Sequence, residues 1–205
     1  MKKLLALALA AVTLFSGSLA LAKTIEPEDT EFEHLAGAVV HATVGEYDAD
    51  AKTFTVTLYE HDCFDIDDAG KLAAGDTLLA DGRVYKVKEK TEDESGDITV
   101  VTEDGYEIIL YQSGENMAAQ YIEDDRRLMH AFAMLHLPVA EGILYEDQSD
   151  PDKEEPVVTA GLENILKIKA EKEENSIGFD FYATIIELND NLEIVRIHQD
   201  FDVAQ

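Results

Sequence analysis

The chain has 205 residues, and its 44 acidic and 16 basic side chains give a formal net charge of −28 at pH 7. A field of this sign repels phosphates and anionic lipid, so it argues against nucleic acid as a partner and favours cations or a basic protein surface. The single cysteine, Cys63, excludes an intramolecular disulfide, so the core or bound ions must supply the stability.

Residues 1–22 are typical of a secretory signal peptide. Two lysines precede an apolar run at 4–15, and the small residues Ala20 and Ala22 stand where signal peptidase cuts, so we expect cleavage before Lys23. The apolar run is too short for a stable membrane anchor. We therefore expect a secreted or extracytoplasmic protein with no membrane insertion after processing.

The rest of the chain divides into an arm and a domain. Residues 23–33 are dominated by Glu and Asp and contain Pro27, which predicts a flexible acidic arm. From residue 34 to 205, short stretches rich in Val, Ile, Thr and Tyr alternate with Asp, Gly and Asn clusters. This pattern predicts a single, mainly β domain.

The clearest predicted strand covers residues 53–59. Phe54, Val56 and Leu58 alternate there with threonine and tyrosine. One face is therefore apolar and the other half-polar, as expected for a strand with one buried side.

Two hairpins are predicted in the middle of the chain. Asp81 and Gly82 form a two-residue loop, and the glycine accepts the positive φ that a tight turn demands. A longer turn of similar chemistry covers residues 102–105. The four strands that these turns connect are 78–80, 83–88, 98–101 and 106–111.

A third hairpin is predicted at the C-terminus. Residues 179–188 and 192–201 are strand-like and are joined through 189–191. Short antiparallel strands at this spacing most economically form a small barrel or a sandwich, because closure removes exposed edges. We expect such a fold, with one short helix and the C-terminal hairpin packed on it.

Two segments allow alternative secondary structures. Residues 114–137 fit either a helix or two strands around Asp124 and Asp125, and the β-prone neighbourhood favours strands. Thr159 is a good N-cap for a helix running to about residue 170. Residues 162–170 nevertheless also show partial strand alternation.

The most suggestive motif resembles a degraded EF-hand loop. Asp65, Asp67, Gly70 and Asp76 fall at its first, third, sixth and twelfth positions, but Ala69 stands where an oxygen ligand is expected. The motif makes Asp65, Asp67 and Asp76 candidate Ca²⁺ ligands. A solvated acidic turn is the alternative.

The histidines offer weaker candidates. His61 and Cys63 lie two apart and would point to the same side of a strand, but two such ligands do not make a zinc site. His130 and His136 would share one side of a strand and separate on a helix. The role of this second pair therefore depends on whether residues 114–137 are strand or helix.

Arg196 and His198 lie on one face of the closing strand, where they could contact an anion. Pairing with neighbouring carboxylates is the favoured alternative, and a surface ion pair contributes little to stability. A set of strand tyrosines could line a binding face, although such residues more often pack in the core. The tyrosines in question are Tyr106, Tyr111, Tyr121 and Tyr182.

The sequence contains no serine-hydrolase elbow, no zinc-protease helix motif and no phosphate-binding glycine loop. Carboxylate pairs are abundant, which makes any chosen acid and base arbitrary. We therefore expect an exported, acidic binding or interaction module that is not catalytic and whose binding depends on cations. The alternatives are an extracytoplasmic hydrolase that uses paired carboxylates and a purely structural module.

Overall fold

The computed structural model describes residues 22–28, 34–148, 150, 155–174 and 178–200. Within these ranges the fold is mainly β, as predicted. The strands are β1 Thr24–Ile25, β2 Val39–Asp48, β3 Thr53–His61, β4 Cys63–Asp65, β5 Thr77–Ala80, β6 Arg83–Glu92, β7 Ile98–Thr102, β8 Glu107–Ser113, β9 Asn116–Tyr121, β10 Met129–Gln148, β11 Val157–Ala160, β12 Thr184–Leu188 and β13 Ile194–Asp200. The helices are α1 Ile66–Gly70 and α2 Leu162–Glu174, and neither is long and apolar enough to cross a membrane.

Five strands form a ring of pairings, which we call the barrel. Its order is β2, β3, β10, β13, β12 and back to β2, and β11 adds to β10 outside the ring. All neighbours in the ring are antiparallel except β10 and β13, which are parallel. In the chain, α2 lies between β10 and β12, which are the third and fourth strands of the barrel in sequence order. This connectivity resembles that of the five-stranded OB barrel. A fold of this kind does not by itself indicate a function.

Strand β10 can pair with both of its neighbours in the ring because it is 20 residues long. Its first half pairs with β3 and its second half with β13. The register to β13 shifts between Val139 and Leu144, and Gly142 adopts a φ of 86° there. Glycine reaches this left-handed region without the steric cost of a side chain, which allows the strand to bend.

The barrel encloses one of two hydrophobic cores. Phe54, Val56 and Leu58 are fully buried in it, which confirms the predicted inward face of β3. Ile165 of α2 packs into the same core.

Residues 63–121 are inserted between β3 and β10 and, together with β1, form a second sheet with its own core. This inserted sheet has the order β1, β5, β6, β7, β8, β9, β4. The backbone N–H of Glu28 donates to the carbonyl of Cys63 in β4 (2.7 Å), while β1 pairs with β5. Residues 23–28 thus bridge the gap between β4 and β5, which we call the seam, and nearly close the sheet.

The structure of residues 23–28 contradicts the prediction of a flexible acidic arm over residues 23–33. Thr24 and Ile25 form a strand, and Ile25 is buried because its side chain completes the core of the inserted sheet. Residues 29–33 lie outside the described residues, as does most of the predicted signal peptide. That residues 34–205 form a single domain stays a prediction.

The predicted hairpins are present. Asp81 and Gly82 have φ values of 51° and 64° between β5 and β6, as the two-residue turn requires. β7 pairs with β8, and β12 pairs with β13. Residues 114–137 are strand rather than helix and turn near Asp125, so the favoured alternative is confirmed.

The predicted helix start is wrong. Thr159 lies in β11 opposite Tyr145 of β10, because its backbone completes that antiparallel pair. The helix begins at Leu162, after Gly161 with a φ of 90°, and continues to Glu174. Residues 162–170 are therefore helical, and α1 is a second, unpredicted helix.

Candidate functional site

A cleft of about 370 Å³ opens where the barrel meets the inserted sheet. Strands β3 and β10 form one wall of the cleft, and the β5–β6 turn forms the other. The segments that precede β10 and β12 complete the lining. Its lining residues are Tyr59, Asp81, Gly82, Arg83, Arg126, Met129, His130, Ala131, Phe181 and Tyr182. The cleft thus joins parts of the chain that are distant in sequence.

Beneath the cleft lies Asp62, which is fully buried between β3 and β4. Its Oδ1 lies 2.8 Å from His130 Nδ1, and its Oδ2 accepts a hydrogen bond from the backbone N–H of Asp81 (2.6 Å). On the other side of the imidazole, His130 Nε2 lies 3.2 Å from Oε1 of the buried Glu60. Asp62 therefore holds His130 and connects the barrel to the inserted sheet, and Glu60 lies within ion-pair distance of the same imidazole.

Asp81 forms a second connection between the two regions. Its Oδ1 accepts from the hydroxyl of Tyr182 (3.0 Å), and its Oδ2 accepts from the hydroxyl of Tyr121 (3.3 Å). Burial, assisted by the hydrogen bond with Tyr85, raises the pKa of Tyr121. Burial, assisted by the charge of Asp81, raises the pKa of Tyr182. Both hydroxyls consequently stay protonated and act as donors.

Arg126 is held between two aromatic rings. Its guanidinium lies 4.7 Å from the centroid of Tyr121 and 4.7 Å from that of Tyr182, and it donates to the hydroxyl of Tyr182. Phe181 stacks on Tyr59 with centroids 3.9 Å apart, and it also contacts Tyr182 at 3.9 Å. These contacts give the cleft a continuous aromatic wall.

Arg83 stands exposed at the edge of the cleft, directly after the β5–β6 turn. It forms no ion pair with any of the residues that the structure describes, and the influence of Tyr85 and Asp81 raises its pKa. The guanidinium is therefore a permanent positive charge.

His41 and His61, which lie beside this region, contribute no charge at neutral pH. Burial, with the charge of Arg127 and the nearby His41, lowers the pKa of His61 to about 4. Burial also lowers the pKa of His41. The two rings lie 5.8 Å apart. Neither of these two histidines therefore adds positive charge beside the cleft.

The three candidate calcium ligands have separate local roles. Asp65 Oδ1 accepts from the N–H of Asp68 (2.9 Å) and caps α1, whereas Asp67 pairs weakly with Lys71 (3.7 Å). The two oxygens of Asp76 accept from the backbone N–H groups of residues 23 and 73. Over the described ranges, no group of three or more His, Cys, Asp or Glu side chains is placed to hold a metal ion. Calcium binding in this loop stays a prediction.

The structure separates the histidine pair on β10. His130 is opposite the buried Glu60, whereas His136 is opposite the outward Thr55 and lies 3.2 Å from its hydroxyl. The register shifts between residues 131 and 133, and this extra residue rotates the side chains beyond it. The expectation that both histidines share one side of the strand is therefore wrong.

Arg196 and His198 are paired, as the favoured alternative predicted. Arg196 Nη1 lies 2.9 Å from Glu146 Oε1, and His198 Nδ1 lies 3.5 Å from Glu146 Oε2. Arg196 also approaches Glu187 at 3.4 Å. These contacts satisfy both side chains on the outer surface of the barrel.

The structure brings together three of the four candidate tyrosines. Tyr121 and Tyr182 flank Arg126, and Tyr106 packs on Tyr121 with centroids 5.6 Å apart. Tyr111 lies opposite Ala118 in the β8–β9 pair.

Sequence reasoning missed the other residues of the cleft. The available signal was the scarcity of arginine, because the chain has only four, at positions 83, 126, 127 and 196. Two of these line the cleft, and Arg127 Nη1 lies 3.4 Å from His61 Nε2 at the adjoining end of β3.

Comparisons with known protein families, with curated proteins and with solved structures found no significant match for this chain.

Proposed function

We propose that this protein is an exported, non-catalytic binding module that takes a carboxylate-bearing ligand in the cleft between the barrel and the inserted sheet. The observation that carries the proposal is the exposed guanidinium of Arg83 at the edge of an aromatic-lined cleft, in a chain with 44 acidic residues. A positive charge so placed in an acidic protein favours recognition of an anionic group.

The cleft supports a two-part ligand. Arg83 offers a planar pair of donors to a carboxylate, and the half-buried Phe181 and Tyr182 offer aromatic surface to a flat or apolar group. The volume of about 370 Å³ lies at the lower end of the range of small-molecule sites. A small aromatic acid or the carboxyl end of a peptide meets both requirements.

The net negative charge of the protein does not rule out such a ligand. At physiological salt, interactions between exposed charges fade over about 8 Å, so distant carboxylates act weakly at the cleft. Asp81, a carboxylate that lines the cleft with Arg83, accepts hydrogen bonds from two tyrosines. The cation of Arg126 lies between the rings of the same tyrosines. These neighbours offset part of its repulsion.

A binding role is favoured over hydrolysis by the positions of the acids. Asp62 is fully buried, and both of its oxygens already take part in hydrogen bonds with His130 and Asp81. Because Asp62 is fully buried and both of its oxygens have protein partners, it exposes no oxygen to a substrate in the cleft. The hydrolase alternative stays a prediction. If the protein is a hydrolase that uses paired carboxylates, its hydrolytic activity should survive substitution of Arg83.

The overall field remains relevant to larger partners. Because most of the surface is acidic, a basic protein surface or cations would still be attracted at long range. Such a partner would bind away from Arg83, and its association would weaken steeply with added salt.

The ligand proposal is tested with phenylacetate and its neutral analogue phenylacetamide. Amide resonances of the mature protein are followed by nuclear magnetic resonance during titration. Phenylacetate should shift residues 81–83 and 181–182, and its affinity should fall roughly 10-fold or more in Arg83→Gln, because a charge-assisted hydrogen bond is lost. Phenylacetamide should bind as weakly as phenylacetate binds to the variant.

The matched control is Arg196→Gln, which removes an arginine that is already paired with Glu146 on another surface. It should leave the affinity for phenylacetate unchanged. Equal binding of the two probes, or an equal loss in both variants, would contradict recognition of a carboxylate by Arg83.

A further inference from the structure

The backbone nitrogen of Lys23 lies at the position where signal peptidase is predicted to cut. In the structure this N–H donates to Asp76 Oδ1 (2.8 Å), and the other carboxylate oxygen accepts from the N–H of Ala73 (2.9 Å). Cleavage after Ala22 would turn this nitrogen into an α-ammonium group. The group would then face a carboxylate at hydrogen-bonding distance.

The segment after this nitrogen is held in register with the inserted sheet. The carbonyl of Lys23 accepts from the N–H of Thr77 (2.8 Å), and the hydroxyls of Thr24 and Thr77 lie 2.6 Å apart. Ile25 is buried, and the N–H of Glu28 reaches the opposite edge strand. The start of the predicted mature chain is therefore a structural part of the fold.

The side chain of Lys23 reaches a second acid. Its Nζ lies 2.5 Å from Asp68 Oδ1 in α1. After cleavage, both positive charges of residue 23 would face carboxylates from residues 68–76. The negative charge of the Asp76 carboxylate would then have the positive α-ammonium of Lys23 as its partner.

We propose that removal of the signal peptide before Lys23 creates an ion pair between the new α-ammonium and Asp76, and that this pair holds residues 23–28 in the seam of the inserted sheet. Proteolysis breaks the amide between Ala22 and Lys23 with addition of water, and the released amine takes up a proton. Replacement of a neutral N–H donor by a charged one strengthens its hydrogen bond to a carboxylate. Export processing thereby strengthens the closure of the inserted sheet.

The proposal predicts that stability depends on where the chain starts. We compare a protein that begins at Lys23 with one that begins at Ala22, both released from a cleavable fusion that leaves no extra residue. One added residue moves the ammonium by about 3.8 Å, away from Asp76. The chain that begins at Lys23 should have a Tm about 2–4 °C higher, since a charge-assisted bond is gained.

Two variants distinguish the contribution of the α-ammonium of residue 23 from that of its side-chain Nζ. In Asp76→Asn the difference in Tm between the two chain starts should disappear, because the carboxylate is gone while an oxygen acceptor remains. In Asp68→Asn, which affects only the side-chain pair, the difference should persist. Equal Tm values for the two starts in the unsubstituted protein, or a difference that survives in Asp76→Asn, would overturn the proposal.

The cleavage position itself is measured on protein recovered after export of the full chain. Mass spectrometry should find Lys23 at the N-terminus. A terminus at another residue would overturn the role of processing, even if the engineered Lys23 start proved to be the more stable one.

Discussion

The barrel closes through long strands of its own, whereas the inserted sheet closes through a two-residue strand from the N-terminal side of the chain. Strand β10 has 20 residues and links β3 to β13, but β1 covers only Thr24 and Ile25. The strands of the inserted sheet from β5 to β9 are hairpin neighbours, and β4 pairs with β9 across the rest of the insertion. The weak point of this sheet is therefore the seam, whereas the closure of the barrel depends on the long-range pairing of β10.

The two cores can be compared by the same chemical change. Ile25→Ala in the seam and Ile165→Ala in α2 each remove a buried isoleucine, and each should cost about 2–5 kcal/mol of unfolding free energy. Denaturant unfolding measures the loss. Hydrogen exchange should show that Ile25→Ala exposes the backbone of β4 and β5 first, because these strands meet at the seam.

This result would support independent closure of the two regions. Loss of protection spread evenly over the barrel after Ile25→Ala would instead show that the barrel depends on the seam. Val39→Ala, at an exposed position of β2, serves as the control and should change the unfolding free energy by less than about 0.5 kcal/mol.

The connection between the regions is tested at Asp62. Asp62→Ala leaves His130 Nδ1 and the N–H of Asp81 without their buried acceptor, which should cost about 2–3 kcal/mol. Calorimetry should then resolve the barrel and the inserted sheet as separate transitions, since their connection is weakened. Glu123→Ala, at an exposed acid nearby, serves as the control, and this variant should unfold like the parent protein.

A smaller effect is expected at the cap of α1 in the inserted sheet. Asp65→Ala removes the acceptor for the N–H of Asp68 and should cost about 1 kcal/mol. Asp67→Ala should cost almost nothing, because Asp67 is exposed. Thermal unfolding in chelator and in millimolar Ca²⁺ measures both. A cost for Asp65→Ala that appears only with Ca²⁺ would support the calcium prediction and contradict the capping role.

The smallest expected effect is one of pH dependence at the end of β3. The pKa of His61 is lowered to about 4 in the folded protein, below its usual 6.5, so the unfolded chain binds more protons between these values. The contribution of His61 to stability is present above pH 6.5 and is lost as the pH falls toward 4. His61→Gln should flatten the stability curve in this window.

The control for His61 is His136→Gln, at an exposed position of β10. It should leave the slope between pH 4 and 6.5 unchanged. If the two substitutions alter the slope equally, burial of His61 is not the cause.

Local chemistry predicted much of the fold. Asp81 and Gly82 could be assigned to a tight turn because only certain residues accept a positive φ, and Phe54, Val56 and Leu58 revealed the buried face of β3 by their alternation. The helix start at Thr159 failed because that residue pairs with β10 instead. Its partner lies elsewhere in the chain, so no local pattern signals it.

The cleft could not be predicted from the sequence. Tyr59, Arg83 and Tyr182 meet only after the inserted sheet folds back on the barrel, and they are separated by many residues. The separation of His130 from His136 depends on a register shift that strand periodicity does not reveal.

The sequence by itself determined the acidity, the turns, the alternation within strands and the expectation of export, because these depend on residues close together in the chain. Tertiary structure alone decided the parallel pair of β10 and β13, the bridging of the seam by residues 23–28, and the meeting of Arg83 with the aromatic wall. The physical reason is that side-chain periodicity specifies which face of a strand is buried, whereas the choice of neighbour depends on the burial and hydrogen bonding of the whole chain.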